Sequence, residues 1–116
     1  MLIFAAQKPN GTLFNVIDDP NSFADSSSTS LLAAVTFRYM MLTGDFTFLG
    51  PANKALNLIR QSVDGSGWLY QVVDPLTFYA PLGPGEFSPE GQAFVILLHS
   101  AWRDFIAWRN TLFQQS

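Results

Sequence analysis

An eight-residue stretch occurs twice in this chain, and that repeat limits the architectures open to it. The first copy reads Gly11-Thr12-Leu13-Phe14-Asn15-Val16-Ile17-Asp18 and the second Gly67-Trp68-Leu69-Tyr70-Gln71-Val72-Val73-Asp74. Gly, Leu, Val and Asp recur in register, and Phe pairs with Tyr, Asn with Gln and Ile with Val. Both copies run on through a proline to a hydroxyl and a phenylalanine, Pro20-Asn21-Ser22-Phe23 and Pro75-Leu76-Thr77-Phe78. Each is followed by a helical pattern that reaches an aromatic-arginine pair, Phe37-Arg38 and Trp102-Arg103. A period of about 56 to 65 residues with helices between the copies is that of stacked helical hairpins.

Taken in order, residues 1–8 read as the last turns of a helix, stopped by Pro9-Asn10-Gly11. A chain that opens on a helix end is expected to be a piece of a larger architecture. Residues 11–25 are a long connection with a short extended piece near Leu13 to Ile17 and turn chemistry at Asp18-Asp19-Pro20-Asn21. Asp25-Ser26-Ser27-Ser28 supplies N-caps for a helix over residues 27–42. Leu31, Leu32, Val35, Tyr39 and Leu42 form its predicted inward face, widened by Ala34, Phe37 and Met41, and Gly44 ends it. Gly50-Pro51 opens a second helix to residue 63, with Ala52, Ala55, Leu56, Ile59 and Val63 inward and Lys54 and Arg60 in water. The second connection, residues 68–87, is longer and rich in Pro and Gly. Its Gly83-Pro84-Gly85 has proline where a phosphate cradle needs backbone donors. Ser88-Pro89-Glu90 starts a helix that runs to about residue 113, with Phe94, Leu98, Ala101, Phe105, Trp108 and Leu112 at helical spacing. Val95, Leu97, Trp102 and Ile106 carry its apolar surface round more than half the cylinder, so it is expected to pack on more than one side. The expectation is one all-α domain over residues 1–116.

Composition matters through charge. Only 13% of the 116 residues are charged and 15% are aromatic, against roughly 25% charged in a typical soluble domain. Helices this poor in charge leave apolar surface for another chain or a further part of their own fold to cover; the alternative is a neutral surface of Ser and Gln. The predicted contact is formed by Phe94, Val95, Leu98, Trp102, Phe105 and Trp108. The predicted partner is a second copy, as a twofold dimer or, alternatively, a closed trimer. Six Lys and Arg stand singly along a chain of net charge −3, which argues against nucleic-acid binding. No cysteine is present and His99 is the sole histidine, so no metal-ligand set is expected, and no cofactor. No run of 18 apolar residues exists, so no membrane span is expected. Met1-Leu2-Ile3-Phe4-Ala5-Ala6 lacks the basic start of a signal peptide, and the compartment stays open. Asn10-Gly11-Thr12 is a sequon that carries a glycan only if the chain is secreted.

Three sets of side chains are candidates for chemistry. Asp18 and Asp74, at equivalent repeat positions, have the right groups for acid and base work on a glycoside; equally, an Asp beside a turn proline bonds its own backbone. Phe14, Trp68, Tyr70, Phe78 and Tyr79 offer rings that stack on sugars, with Asn15 and Gln71 to meet hydroxyls; the other reading is that they plug an interior or an interface. Arg38 and Arg103 either pair with Asp45 and Asp104, cap loop carbonyls, or clamp a sugar carboxylate.

These residues resemble the C-terminal part of six-hairpin glycosidases, and most of all glycoside hydrolase families 88 and 105, the unsaturated glucuronyl and rhamnogalacturonyl hydrolases. Such proteins carry a segment like Gly-Leu-Trp-Tyr-Gln-Val-Leu-Asp-x-Pro, then an acid and serines opening a helix. Here the run is Gly11 through Pro20, then Asp25-Ser26-Ser27-Ser28-Thr29, and Ser88-Pro89-Glu90-Gly91-Gln92-Ala93-Phe94 is similar to a later helix start. The resemblance implies an (α/α)6 toroid of twelve helices, of which this length supplies about a third. It implies an ancestor that hydrated the enol-ether bond of an unsaturated uronic sugar with an Asp proton donor. That Asp belongs to the family's N-terminal half, which nothing in this sequence matches, and the Trp-Gly-Arg-Gly-Asn-Gly-Trp-like motif is absent as well. The expectation is therefore a glycosidase-derived protein without hydrolase activity that self-associates and binds carbohydrate. Two alternatives remain: an unsaturated-uronide hydrolase whose active site is completed between subunits, or a secreted effector or immunomodulatory protein.

Overall fold

The structure, a computed structural model, describes residues 2–15, 19, 21–74, 76–83 and 85–114. In order it forms a 3-10 helix (Leu2–Ala6), β1 (Leu13–Phe14), β2 (Ala24–Asp25), α1 (Ser26–Thr43), α2 (Leu49–Ser62) and α3 (Pro89–Gln114). The two strands pair antiparallel, Leu13 opposite Asp25 and Phe14 opposite Ala24, and close the first loop. The chain is thus mainly helical, and its three α-helices begin and end within a residue or two of the expected limits, a difference without structural meaning. Residues 2–6 are wound as a 3-10 helix rather than the expected α-helical end.

Helix limits follow from the caps. Asp25 is extended and its carboxylate accepts from Ser27 N and Ser28 N. At the other end Gly44 adopts a left-handed φ of 72° and returns its N–H to Met40 O, a conformation that glycine takes without a Cβ clash. The Ser88 hydroxyl accepts from Gly91 N to open α3.

α1 packs on both α2 and α3. α1 and α3 run in the same direction: their first turns both meet the segment around Leu69 to Val73, and further along Phe37 faces Phe105 with ring centroids 5.3 Å apart. Beside that pair Arg38 Nη1 donates to Asp104 at 2.6 Å, one of the pairings the sequence offered. Arg60 of α2 lies over the Trp102 ring at 4.5 Å. Ala52, Ala55, Leu56 and Ile59 of α2 are buried as their spacing predicts.

α1 buries Ala34 and Phe37 of its predicted face and packs Tyr39 and Met41 partly on the core, but it leaves Val35 and Leu42 outside. Val35 is 48% and Leu42 87% exposed, while Ser26, Thr29, Ser30, Ala33, Thr36, Phe37 and Met40 are buried. The interior hydroxyls are satisfied within the helix: Thr29 donates to Asp25 O at 2.7 Å, Ser30 to Ser26 O at 2.9 Å and Thr36 to Leu32 O at 2.7 Å. Small, self-satisfied side chains can be buried at little cost and let two helices approach closely. The bulkier aliphatic face is left outside.

Two residues of the predicted contact surface on α3 are also corrected. Leu98 and Phe105 are buried in the chain's own core, and Val95, Trp102 and Trp108 are partly buried against it. Phe46, in the turn after α1, packs on Phe105 and Trp108 and draws that end of α3 inward. The apolar side chains that α3 leaves outside are Ile96, Leu97, Leu112 and Phe113. Among the described residues, no helix is long and apolar enough to cross a membrane, and no three His, Cys, Asp or Glu are grouped to hold a metal ion. His99 meets the backbone, its Nδ1 lying 3.0 Å from Val95 O.

Candidate functional site

The described parts of the two loops that carry the repeat lie at one end of the helices, and the loops interlock there. Ser26 N donates to Gln71 O at 2.9 Å, and the Ser26 hydroxyl reaches the carbonyls of Tyr70 and Gln71. Val73 N donates to Asp25 Oδ1 at 3.2 Å, and Asn15 Nδ2 to Phe78 O at 2.7 Å.

The shared residues of the repeat are anchors. Leu13 and Leu69 are both buried. The N–H of Leu13 donates to Thr29 Oγ1 at 3.0 Å and that of Leu69 to Gln92 Oε1 at 2.7 Å. Thr29 and Gln92 each occupy the fourth position of the following helix, so each loop is latched to the helix it leads into. Gly11 and Gly67 have φ of 102° and 92°, backbone that favours glycine. At Gly11 the fit is tighter still, since a Cβ there would lie 2.5 Å from Lys54 O.

Asp74 Oδ1 accepts from Leu76 N, and its carbonyl accepts from Thr77 N. The same two bonds are made in the first loop by Asp19, whose Oδ1 accepts from Asn21 N and whose carbonyl accepts from Ser22 N. Asp19 and Asp74 thus both hold turns. Asp18 lies outside the described residues.

The aromatic candidates fall into separate places. Trp68 stacks on Phe87, centroids 4.3 Å apart and planes within 18°, with Tyr70 edge-on to Phe87 at 6.3 Å. The Tyr70 hydroxyl donates to Asp64 Oδ2 at 2.6 Å, while Asp64 Oδ1 accepts from Ser66 N and Trp68 N. The Tyr70 hydrogen bond, with the backbone donors behind it, holds the Asp64 carboxyl below its ordinary range. The same bond pushes the Tyr70 phenol up. Asp64 and Phe87 are not among the candidates read from sequence; Asp64-Gly65-Ser66-Gly67 carries only the signal of a turn.

Gln71, at φ 64°, is exposed and offers its side chain to solvent. Phe14 is half-buried, with Lys8 Nζ over its ring at 5.4 Å. Asn15 is engaged with the Phe78 carbonyl. Tyr79 projects from the tip of the second loop at 85% exposure beside Leu76 at 89% and Phe78 at 63%. The structure thus brings together Trp68 and Tyr70, and Asn15 with the loop tip.

A second feature lies on the helix flank. Leu31, Val35, Tyr39 and Leu42 of α1 face Leu97 of α3 across a groove of about 430 Å³ whose one charged lining residue is Arg38.

Helices bearing interlocked loops at one end define a helical-hairpin fold. No protein-family model matches the chain, and no curated protein does. Among solved structures, it is similar to a possible member of the GH105 family from Salmonella enterica subsp. enterica serovar Paratyphi A, with a TM-score of 0.77 and 23% identity over 94% of this chain. It is similar also to a possible member of the GH105 family from Klebsiella pneumoniae subsp. pneumoniae, with a TM-score of 0.78 and 27% identity over 86% of this chain. The chain is GH105-like in fold. It spans 29% and 28% of the lengths of those two structures, which fits the C-terminal portion that its sequence resembles.

Proposed function

We propose that this chain is an arc of an (α/α)6-type toroid that associates with a second copy through its α1–α3 groove and has no hydrolase activity of its own. One observation carries the reading. α1 buries its hydroxyl and small side chains and turns Val35 and Leu42 outward, toward Leu97, into an apolar groove. Aliphatic side chains gathered in a groove, on a chain of so little charge, favour a partner surface over water. The turn-holding role of Asp74 favours the absence of hydrolysis, as does the resemblance, which puts the proton donor in the family's other half. Light scattering on the pure protein tests the association. A mass above 12.9 kDa that falls to the monomer in Val35→Glu supports it. Release of product from an unsaturated disaccharide by the pure protein overturns the inactive reading and favours an active site completed between subunits.

The stacked Trp68–Phe87 pair favours a second, compatible role. Trp68 keeps 41% of its surface exposed, next to Tyr70 and Gln71, and a ring braced from behind is a platform for the apolar face of a sugar. Binding on a glycan array that Trp68→Ala abolishes supports this role, and an unlabelled array removes it.

A further inference from the structure

We propose that Asn10 is a site of spontaneous deamidation, with the nitrogen of Gly11 as nucleophile, and that the turn of residues 8–11 must open before the reaction runs. Asn10 is exposed, and it is the only one of the six asparagines followed by glycine. Glycine has no side chain to hinder attack by its own nitrogen on the neighbouring side-chain carbonyl.

The chemistry needs only the chain and water. Gly11 N gives its proton to solvent base and bonds to Asn10 Cγ. The Cγ–Nδ2 bond then breaks, and Nδ2 takes a proton from solvent and leaves as ammonia. The product is a five-membered succinimide. Water opens that ring at either carbonyl, giving aspartate or isoaspartate, in which the backbone runs through Cβ and Cγ. Nothing is oxidised or reduced. Either product is one mass unit heavier than the amide and carries a new carboxyl group.

The structure prepares the electrophile. Asn10 Oδ1 accepts from Thr12 Oγ1 at 2.6 Å and from Thr12 N at 3.1 Å. Those two donors face the oxygen on which negative charge develops as the nitrogen adds. The nucleophile is withheld. Gly11 N donates to Lys8 O at 2.9 Å, and Lys8 N donates to Thr12 O at 2.8 Å. Gln7 Nε2 donates to Gly11 O at 2.9 Å and to Pro51 O at 3.0 Å, which pins the turn to α2. Attack therefore waits for local opening of these bonds.

The reaction runs one way. Isoaspartate inserts an extra backbone atom before Gly11, where even a Cβ would lie 2.5 Å from Lys54 O. The altered turn has no room to seat on α2 as before. The same ring closure is shut off at Asp64-Gly65. An aspartate reacts there as the neutral acid. The Tyr70 hydroxyl, with Trp68 N and Ser66 N behind it, holds the Asp64 carboxyl below its ordinary range.

Incubation of the pure protein in mildly alkaline buffer, with and without urea, tests this. Peptide mapping by mass spectrometry locates the product, and enzymatic methylation of isoaspartate counts it. Isoaspartate should accumulate at residue 10 ahead of every other position, and at least about tenfold more slowly in the folded protein than in urea. Asn10→Gln should abolish it. Gln7→Ala, with circular dichroism unchanged, should speed the folded-state reaction severalfold. Should that variant unfold, hydrogen exchange at the Gly11 amide of the wild type replaces it, because its protection should match the slowing of deamidation. No product at residue 10 in the folded protein, or product first at Asp64, overturns the assignment. Equal rates in folded and unfolded chains, a folded Gln7→Ala that reacts as wild type does, or Gly11 protection that does not match the slowing, overturns control by the turn.

Discussion

Loops 11–25 and 67–88 start from the same eight-residue pattern and lead into helices capped in the same way, yet only the second leaves its rings in solvent. In the first, β1 and β2 close the loop, Gly11 presses on the backbone of α2, and Phe14 is half-covered by Lys8. In the second, Trp68, Tyr70, Phe78 and Tyr79 are all exposed to a large extent. What the copies share is Gly, the buried Leu and the latch to the fourth residue of the next helix. Conserving the anchors leaves the length and side chains of the rest of each loop free to differ. The repeat is therefore a folding unit, and what distinguishes the loops is where a function can be carried.

Paired substitutions break the comparison most directly at the glycines. Gly11→Ala combines backbone strain with a collision against Lys54 O and should destabilise by about 3 kcal/mol or more. Gly67→Ala meets nothing within 4 Å and should lose only the strain, about 1–2 kcal/mol. Chemical denaturation of the two variants measures both, and equal losses would mean that the close approach at Gly11 contributes nothing.

The caps should differ next. Asp25 is buried, caps α1 and also holds Val73 N of the other loop, so Asp25→Ala should cost about 2–3 kcal/mol. Ser88→Ala removes a cap that holds a single N–H and should cost about 1 kcal/mol. Thr29→Val and Gln92→Leu cut the latches while keeping their bulk. Thr29→Val should be the more harmful, at about 1–2 kcal/mol, because the Leu13 N–H is buried with its acceptor. Loss of amide protection at Leu13 and Leu69 in hydrogen exchange reads each latch separately.

The smallest effect is one of pH and, of the two loops, concerns the second, through Tyr70 and Asp64 just before it. Asp64 titrates below its reference of 3.8. Its contribution is present above that value and is lost as pH falls through the folded pKa. Tyr70 titrates above its reference of 10.0, so its contribution is present below 10.0 and is lost as pH rises through the folded value. Trp68 fluorescence should therefore change at both extremes, and Tyr70→Phe should remove the alkaline change and reduce the acid one.

Much of this was legible in the residues. Ser, Asp, Gly and Pro act locally, so caps and helix limits could be read one by one from Asp25, Gly44, Ser88 and Pro89. α2 could be read because its buried face is also its apolar face. α1 could not, because counting carbon selects Leu31, Val35 and Leu42. Close helix packing selects Thr29, Ser30, Ala33 and Thr36 instead, whose hydroxyls are silenced by the helix itself. The predicted contact face failed at Leu98 and Phe105 for a related reason: helical spacing groups the residues of a face without saying which neighbour it meets.

The proposal on which the rest depends is that another copy covers the outward face of α1. Mass in solution across a wide concentration range, for wild type beside Val35→Glu, tests it most directly. The account predicts a wild-type mass that climbs above 12.9 kDa with concentration while the variant stays at that value. A wild type fixed at the monomer mass throughout would contradict it.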